Sequence, residues 1–176
     1  MTRTRILEGN EISQDVQKVL DEIEGAFGMV PNLFRSYAHF PPLLEANWTK
    51  VKAVMMQGSL SRKLKETIAV LVSKDNACQY CVNAHNGMLK AIGILDQEIA
   101  TINENPDAAD FIDKEKALLN FVRKANLQPH KIRNDEFANL RELGATDAEI
   151  VEALGTMETF TAFNKYIDAI QLAIDF

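Results

Sequence analysis

The sequence predicts an all-α protein, a single-domain helical bundle over residues 1–176. Three observations carry this. Apolar residues recur at about the 3.6-residue helical period, strand-like alternation is hard to find, and Gly, Pro and capping residues interrupt the chain at helix-length intervals. With 47% hydrophobic and 25% charged residues the composition is that of a globular domain.

Val16, Leu20, Ile23 and Phe27 mark a first amphipathic helix, stopped between Gly25 and Gly28. Pro31, Pro41 and Pro42 read as punctuation, and a helix carrying the only tryptophan, Trp48, is expected over residues 43–56. Ser59 and Ser61 then cap a helix over residues 62–74, and Asp75 and Asn76 are expected to cap the next, which Gly93 ends. Asp96 and Asp107 read as N-caps of two more helices, the second with Phe111, Leu118, Phe121 and Val122 inward. Another helix lies between Pro129 and Gly144. Thr146 and Glu149 form a capping box, opening a helix expected to reach Phe176. Its apolar positions, Ile150 through Ile174, wrap much of its circumference. Such a helix is either a subunit interface or the central helix of the core.

A net charge of −6 argues against nucleic acid or an anionic membrane as partner. The first ten residues lack the apolar core of a signal peptide, and no apolar run approaches the roughly 18 residues of a membrane span. A cytoplasmic location is expected, where a CxxC pair is redox-active or metal-binding more often than a static staple.

The chain's only two cysteines form that pair. Cys78 and Cys81 are followed by His85. On a helix Cys81 lies about 60° and His85 about 20° from Cys78, so all three share one face. Cys78 in a first turn meets unpaired N–H groups that favour a thiolate, and His85, four residues after Cys81, can take its proton. Glu66 precedes the apolar run 68–72 and shares a face with Ala69, Val70, Ser73 and Ala77. It is either a buried carboxylate partnering His85 or an exposed first-turn acid beside Arg62, Lys63 and Lys65. A zinc site of Cys78, Cys81 and His85, with His39 or His130 as fourth ligand, is the rival to redox chemistry. Against it, no second CxxC or HxxxH is present. Tyr80 can donate a hydrogen bond near the thiols, and Met88 can line a pocket.

The pattern Glu66-x11-Cys78-x2-Cys81-x3-His85 resembles the AhpD-like alkylhydroperoxidases, in their peroxidase-related branch, of the carboxymuconolactone decarboxylase superfamily. The likeness extends from Phe27 to Gly93 and is general beyond it. The resemblance implies an AhpD-like helical fold assembled as a homo-oligomer, a trimer or hexamer, and a peroxidase cycle without haem or flavin; no metal is expected. It implies Cys81 as the peroxidatic and Cys78 as the resolving cysteine, with His85 and Glu66 as proton relay. The implied partners are a peroxide substrate and a dithiol reductant, lipoyl-type or a small redox protein, reaching the disulfide at a more exposed Cys78. Where better-known members carry a second histidine, this chain has Tyr80. An acid–base enzyme built on Glu66 and His85, or a redox sensor without turnover, are the alternatives.

Overall fold

The computed structural model describes residues 2–176. Among these, nine α-helices follow in order: α1 (Gln14–Phe27), α2 (Asn32–Tyr37), α3 (Pro41–Met56), α4 (Arg62–Asp75), α5 (Gln79–Ala91), α6 (Asp96–Glu104), α7 (Asp113–Leu127), α8 (Asn134–Glu142) and α9 (Asp147–Ile170). No strand occurs among the described residues, as the missing alternation predicts.

The hub is α4. Every residue from Leu64 to Ser73 is buried, because α5, α7 and α9 pack around it and α3 and α6 close the remaining sides. That explains the run Ile68-Ala69-Val70-Leu71-Val72: a helix covered all round needs no polar face. The long helix α9 lies against α3, α4, α5 and α7, which bury Ile150, Phe160, Phe163 and Ile167 and leave Leu154, Met157 and Ile170 half-buried. It packs as a central helix of the core, the second of the two expectations. Phe27, Phe34, Trp48 and Phe163 pack edge to face between α1, α2, α3 and α9, with ring centroids 5.6–6.4 Å apart.

Several boundaries differ from expectation. The prolines open helices rather than interrupt them. Pro31 is the N-cap of α2, which at six residues is too short to show a period in the sequence. Pro41 and Pro42 occupy the first turn of α3, where a missing N–H costs nothing. Leu95 and Ile112, not Asp96 and Asp107, precede α6 and α7. The capping box of α9 forms as expected, Thr146 Oγ1 accepting from the Glu149 N–H at 3.2 Å and Glu149 Oε2 from the Thr146 N–H at 2.7 Å. Yet α9 ends at Ile170, where Gln171 takes a left-handed conformation (φ 50°), and residues 171–176 turn back over the bundle.

Candidate active site

Ser61 caps α4, its Oγ accepting from the Leu64 N–H. Arg62 and Glu66 then stand one turn apart on the same face. Glu66 is fully buried, and its two oxygens are divided between two partners. Oε1 accepts from Arg62 Nε and lies 2.7 Å from Arg62 Nη2, while Oε2 accepts from His85 Nδ1 at 2.6 Å. A carboxylate removed from water requires such compensation. Of the two readings of Glu66, the buried partner of His85 is the one observed. The carboxylate only accepts, so Nδ1 carries the hydrogen and Nε2 is left to act as a base.

The link between α4 and α5 sets the thiols. Asn76 ends α4, and Ala77 adopts a left-handed conformation (φ 59°) usually reserved for glycine. The Ala77 N–H then reaches the Lys74 carbonyl at 3.0 Å and the Cys78 N–H the Ser73 carbonyl at 2.9 Å. These bonds compensate an alanine strain of about 1–2 kcal/mol. The turn makes Cys78 the N-cap of α5, just outside its first turn. Asp75 and Asn76 therefore do not cap α5: Asp75 pairs with Arg123 at 2.6 Å, and the Asn76 side chain joins Asn126 and Asn164.

Cys78 is sealed from solvent, tucked towards Asp168 of α9, whereas Cys81 opens on a cavity. The expectation of a more exposed Cys78 is not met: both cysteines are buried, and of the two it is Cys81 that lines the cavity. The two thiols interact. A hydrogen bond from Cys81 lowers the Cys78 thiol below its ordinary value, with burial opposing. The same bond, followed by burial, pushes Cys81 far up, and the side chains of Asn164 and Ser73 pull it partly back. The pair therefore titrates as a unit, and Cys81 is the thiol that needs a base.

The cavity measures about 490 Å³ and is mainly apolar. Cys81 and His85 share its wall with Phe34, Phe160, Phe163 and Met88, and Arg62 supplies the cation there. The Phe160 ring meets the His85 imidazole edge to face at 4.2 Å and holds its plane. Tyr80 also lines the cavity, but its hydroxyl donates to Asp175 Oδ1 at 2.8 Å and accepts from the Leu33 N–H at 3.3 Å. Burial, then the Asp175 charge, raises the phenol, so it stays a donor. His39 lies elsewhere, its Nε2 2.8 Å from the Arg5 carbonyl, and His130 is exposed in a turn. Among the described residues no three His, Cys, Asp or Glu side chains converge as a metal ion requires.

Sequence reasoning missed Asn164 and Ser73 beside Cys81, and the part played by Arg62. Asn164 Nδ2 donates to Ser73 Oγ at 3.0 Å, and both are fully buried. The i−4 spacing of Arg62 to Glu66 was a readable signal. Asn164, 83 positions beyond Cys81 in the chain, gave none except as a polar residue among the apolar positions of α9.

Residues 41–124, which include Glu66, Cys78, Cys81 and His85, match the carboxymuconolactone decarboxylase family. The alkyl hydroperoxide reductase Rv2159c of Mycobacterium tuberculosis (strain ATCC 25618 / H37Rv) is 31% identical over 94 residues, 53% of this chain. That stretch spans only 27% of the relative's length. An alkylhydroperoxidase AhpD core structure, a peroxidase-related protein from Ralstonia eutropha JMP134, superposes with a TM-score of 0.90 at 27% identity, covering 99% of this chain and 92% of that one. The debrominase Bmp8, in complex with 2,3,4-tribromopyrrole, shares the fold at a TM-score of 0.85 and 18% identity, over 99% of this chain and 92% of that one.

Proposed function

We propose that this chain, which carries a carboxymuconolactone decarboxylase family domain in the fold of the AhpD-core proteins, is a thiol peroxidase working through Cys81 and Cys78. The observation that carries the reading is that Cys81 and His85 open on one apolar cavity while Glu66 holds the far nitrogen of that imidazole.

His85 Nε2 takes the Cys81 proton, and the Cys81 thiolate attacks the nearer oxygen of a peroxide ROOH. The O–O bond breaks, the S–O bond forms, and the imidazolium returns the proton to the departing RO⁻ as ROH. Glu66 keeps the ring in the right tautomer and offsets its transient charge, while Arg62 holds the carboxylate in place. Cys81 is left as a sulfenic acid. The Cys78 thiol, within hydrogen-bonding reach, displaces its hydroxyl as water and closes the disulfide. A dithiol, lipoyl-type or carried on a small redox protein, restores both thiols by exchange and leaves as its own disulfide. Because Cys81 is the sulfur on the cavity, exchange begins there. The assembly in solution is a homo-oligomer, a trimer or hexamer, which light scattering checks directly.

The test is steady-state peroxide consumption with a dithiol. Cys81→Ser should abolish turnover, and Cys78→Ser should allow one oxidation per site and accumulate sulfenate. Full turnover in both variants would overturn the thiol cycle and transfer Glu66 and His85 to acid–base chemistry.

A further inference from the structure

Tyr80 sits between the two cysteines, and the proposed cycle gives it no task. Its hydroxyl is turned away from the thiols towards residues 171–176. That segment begins where Gln171 ends α9, and it is pinned at its base by Leu172, buried, with its N–H on the Ile167 carbonyl at 3.1 Å. It then crosses α2 and α5. Asn32 Nδ2 donates to the Ala173 carbonyl at 3.2 Å, the Asn32 N–H donates to Asp175 Oδ2 at 2.6 Å, and Tyr80 donates to Asp175 Oδ1. One carboxylate therefore ties the segment to both helices. Phe176 follows, its ring edge-on to Tyr80 at 4.9 Å and forming part of the cavity wall together with Cys81 and His85.

We infer that residues 173–176 are a gate over the cavity, latched by Asp175 to Tyr80 and Asn32, and that Phe176 sets the size of molecule able to reach Cys81. Beyond Leu172 the segment buries little: Ala173 and Ile174 are exposed and Phe176 is 48% exposed. Opening it breaks four hydrogen bonds, the fourth from the Ala173 N–H to Thr2 Oγ1 at 3.1 Å, and one ring contact without disturbing the core, which is the signature of a low-stability local unit. Closed, the cavity suits a molecule of modest size. Open, it admits a bulkier reagent, such as the dithiol that must reach a disulfide whose other sulfur is sealed. The gate rests on Cys81 being the reactive thiol, but its operation requires no peroxide.

The experiment compares alkylation of Cys81 by iodoacetamide and by a pyrene maleimide, followed by mass spectrometry of the Cys81 peptide, in wild type, Asp175→Asn, Phe176→Ala and Tyr80→Phe. Thermal melting checks each fold. The latch variants should raise the maleimide rate about fivefold or more while iodoacetamide changes less than about twofold. A maleimide-to-iodoacetamide ratio unchanged from wild type, or both rates rising together, would overturn the gate. Size-selective alkylation of a Cys81 that peroxide leaves untouched would keep the gate and defeat the peroxidase reading.

Discussion

A thiol as buried as Cys81, with its proton bonded to Cys78, ionises poorly unless a neighbour accepts the proton. That gives His85 a measurable role. With its value raised, Cys81 holds little thiolate at neutral pH and more as pH rises. Its alkylation rate should therefore climb from pH 7 through pH 9 without a plateau. His85→Ala should slow the reaction with peroxide about 10²-fold at pH 7, and by less at pH 9, where hydroxide substitutes for the imidazole. A wild-type rate already flat at pH 7 would contradict this. At this scale the sequence was informative because Cys78, Cys81 and His85 lie within two turns, where helical spacing alone brings side chains together. Glu66 was ambiguous from spacing. Its burial follows from α5, α7 and α9 surrounding α4, a tertiary fact, and the same holds for Asn164 reaching Ser73.

Among elements, the loop between α3 and α4 shows how a local signal can carry a tertiary meaning. Gly58-Ser59-Leu60-Ser61 was readable as a break, and Ser61 caps α4. What the sequence did not disclose is that Glu152 of α9 enters this loop. Its carboxylate accepts from the Ser59 N–H at 2.9 Å and pairs at 2.5 Å with Lys65, whose side chain is 3% exposed and also donates to the Gln57 carbonyl. Gly58 has φ 92°, and a Cβ there would collide with the Glu152 carboxylate. The carboxylate can yield only by weakening its ion pair with the buried Lys65 ammonium, which would keep the Gln57 carbonyl alone. Gly58→Ala should therefore destabilise by about 2–4 kcal/mol, lowering the Tm by roughly 5–12 °C in a chain of this size. Calorimetry measures it, and an unchanged Tm would show that the loop relaxes freely. The helix starts at Pro31 and Pro41 were not legible for a related reason: proline marks a boundary in either direction, and only the residues that pack behind it decide which.

For the whole molecule, the all-helical class and the central place of α9 follow from apolar positions around it that one neighbour could not cover. Its early end at Ile170 was not legible, because Leu172 and Ile174 continue the apolar pattern while the chain leaves the helix. Stability against acid is also set at this scale, by carboxylates that tie distant helices together. Hydrogen bonds from Lys114, then from the Thr146 backbone, hold Glu149 below the ordinary glutamate value. For Glu152 burial pushes upward, but Lys65 and the loop amides outweigh it. Both are lowered in the folded chain, so their contribution is complete above the unfolded value and is lost as pH falls through the folded one. The urea midpoint should be level from pH 7 to about 5 and fall below about 4. Glu149→Gln should lower the midpoint at pH 7 and shrink its loss in acid.

The most direct test of the thiol cycle is the mass of the peptide bearing Cys78 and Cys81, before and after one equivalent of an organic hydroperoxide. The account predicts the loss of two hydrogens, confined to that peptide and reversed by a dithiol. Free thiols unchanged after peroxide would contradict it.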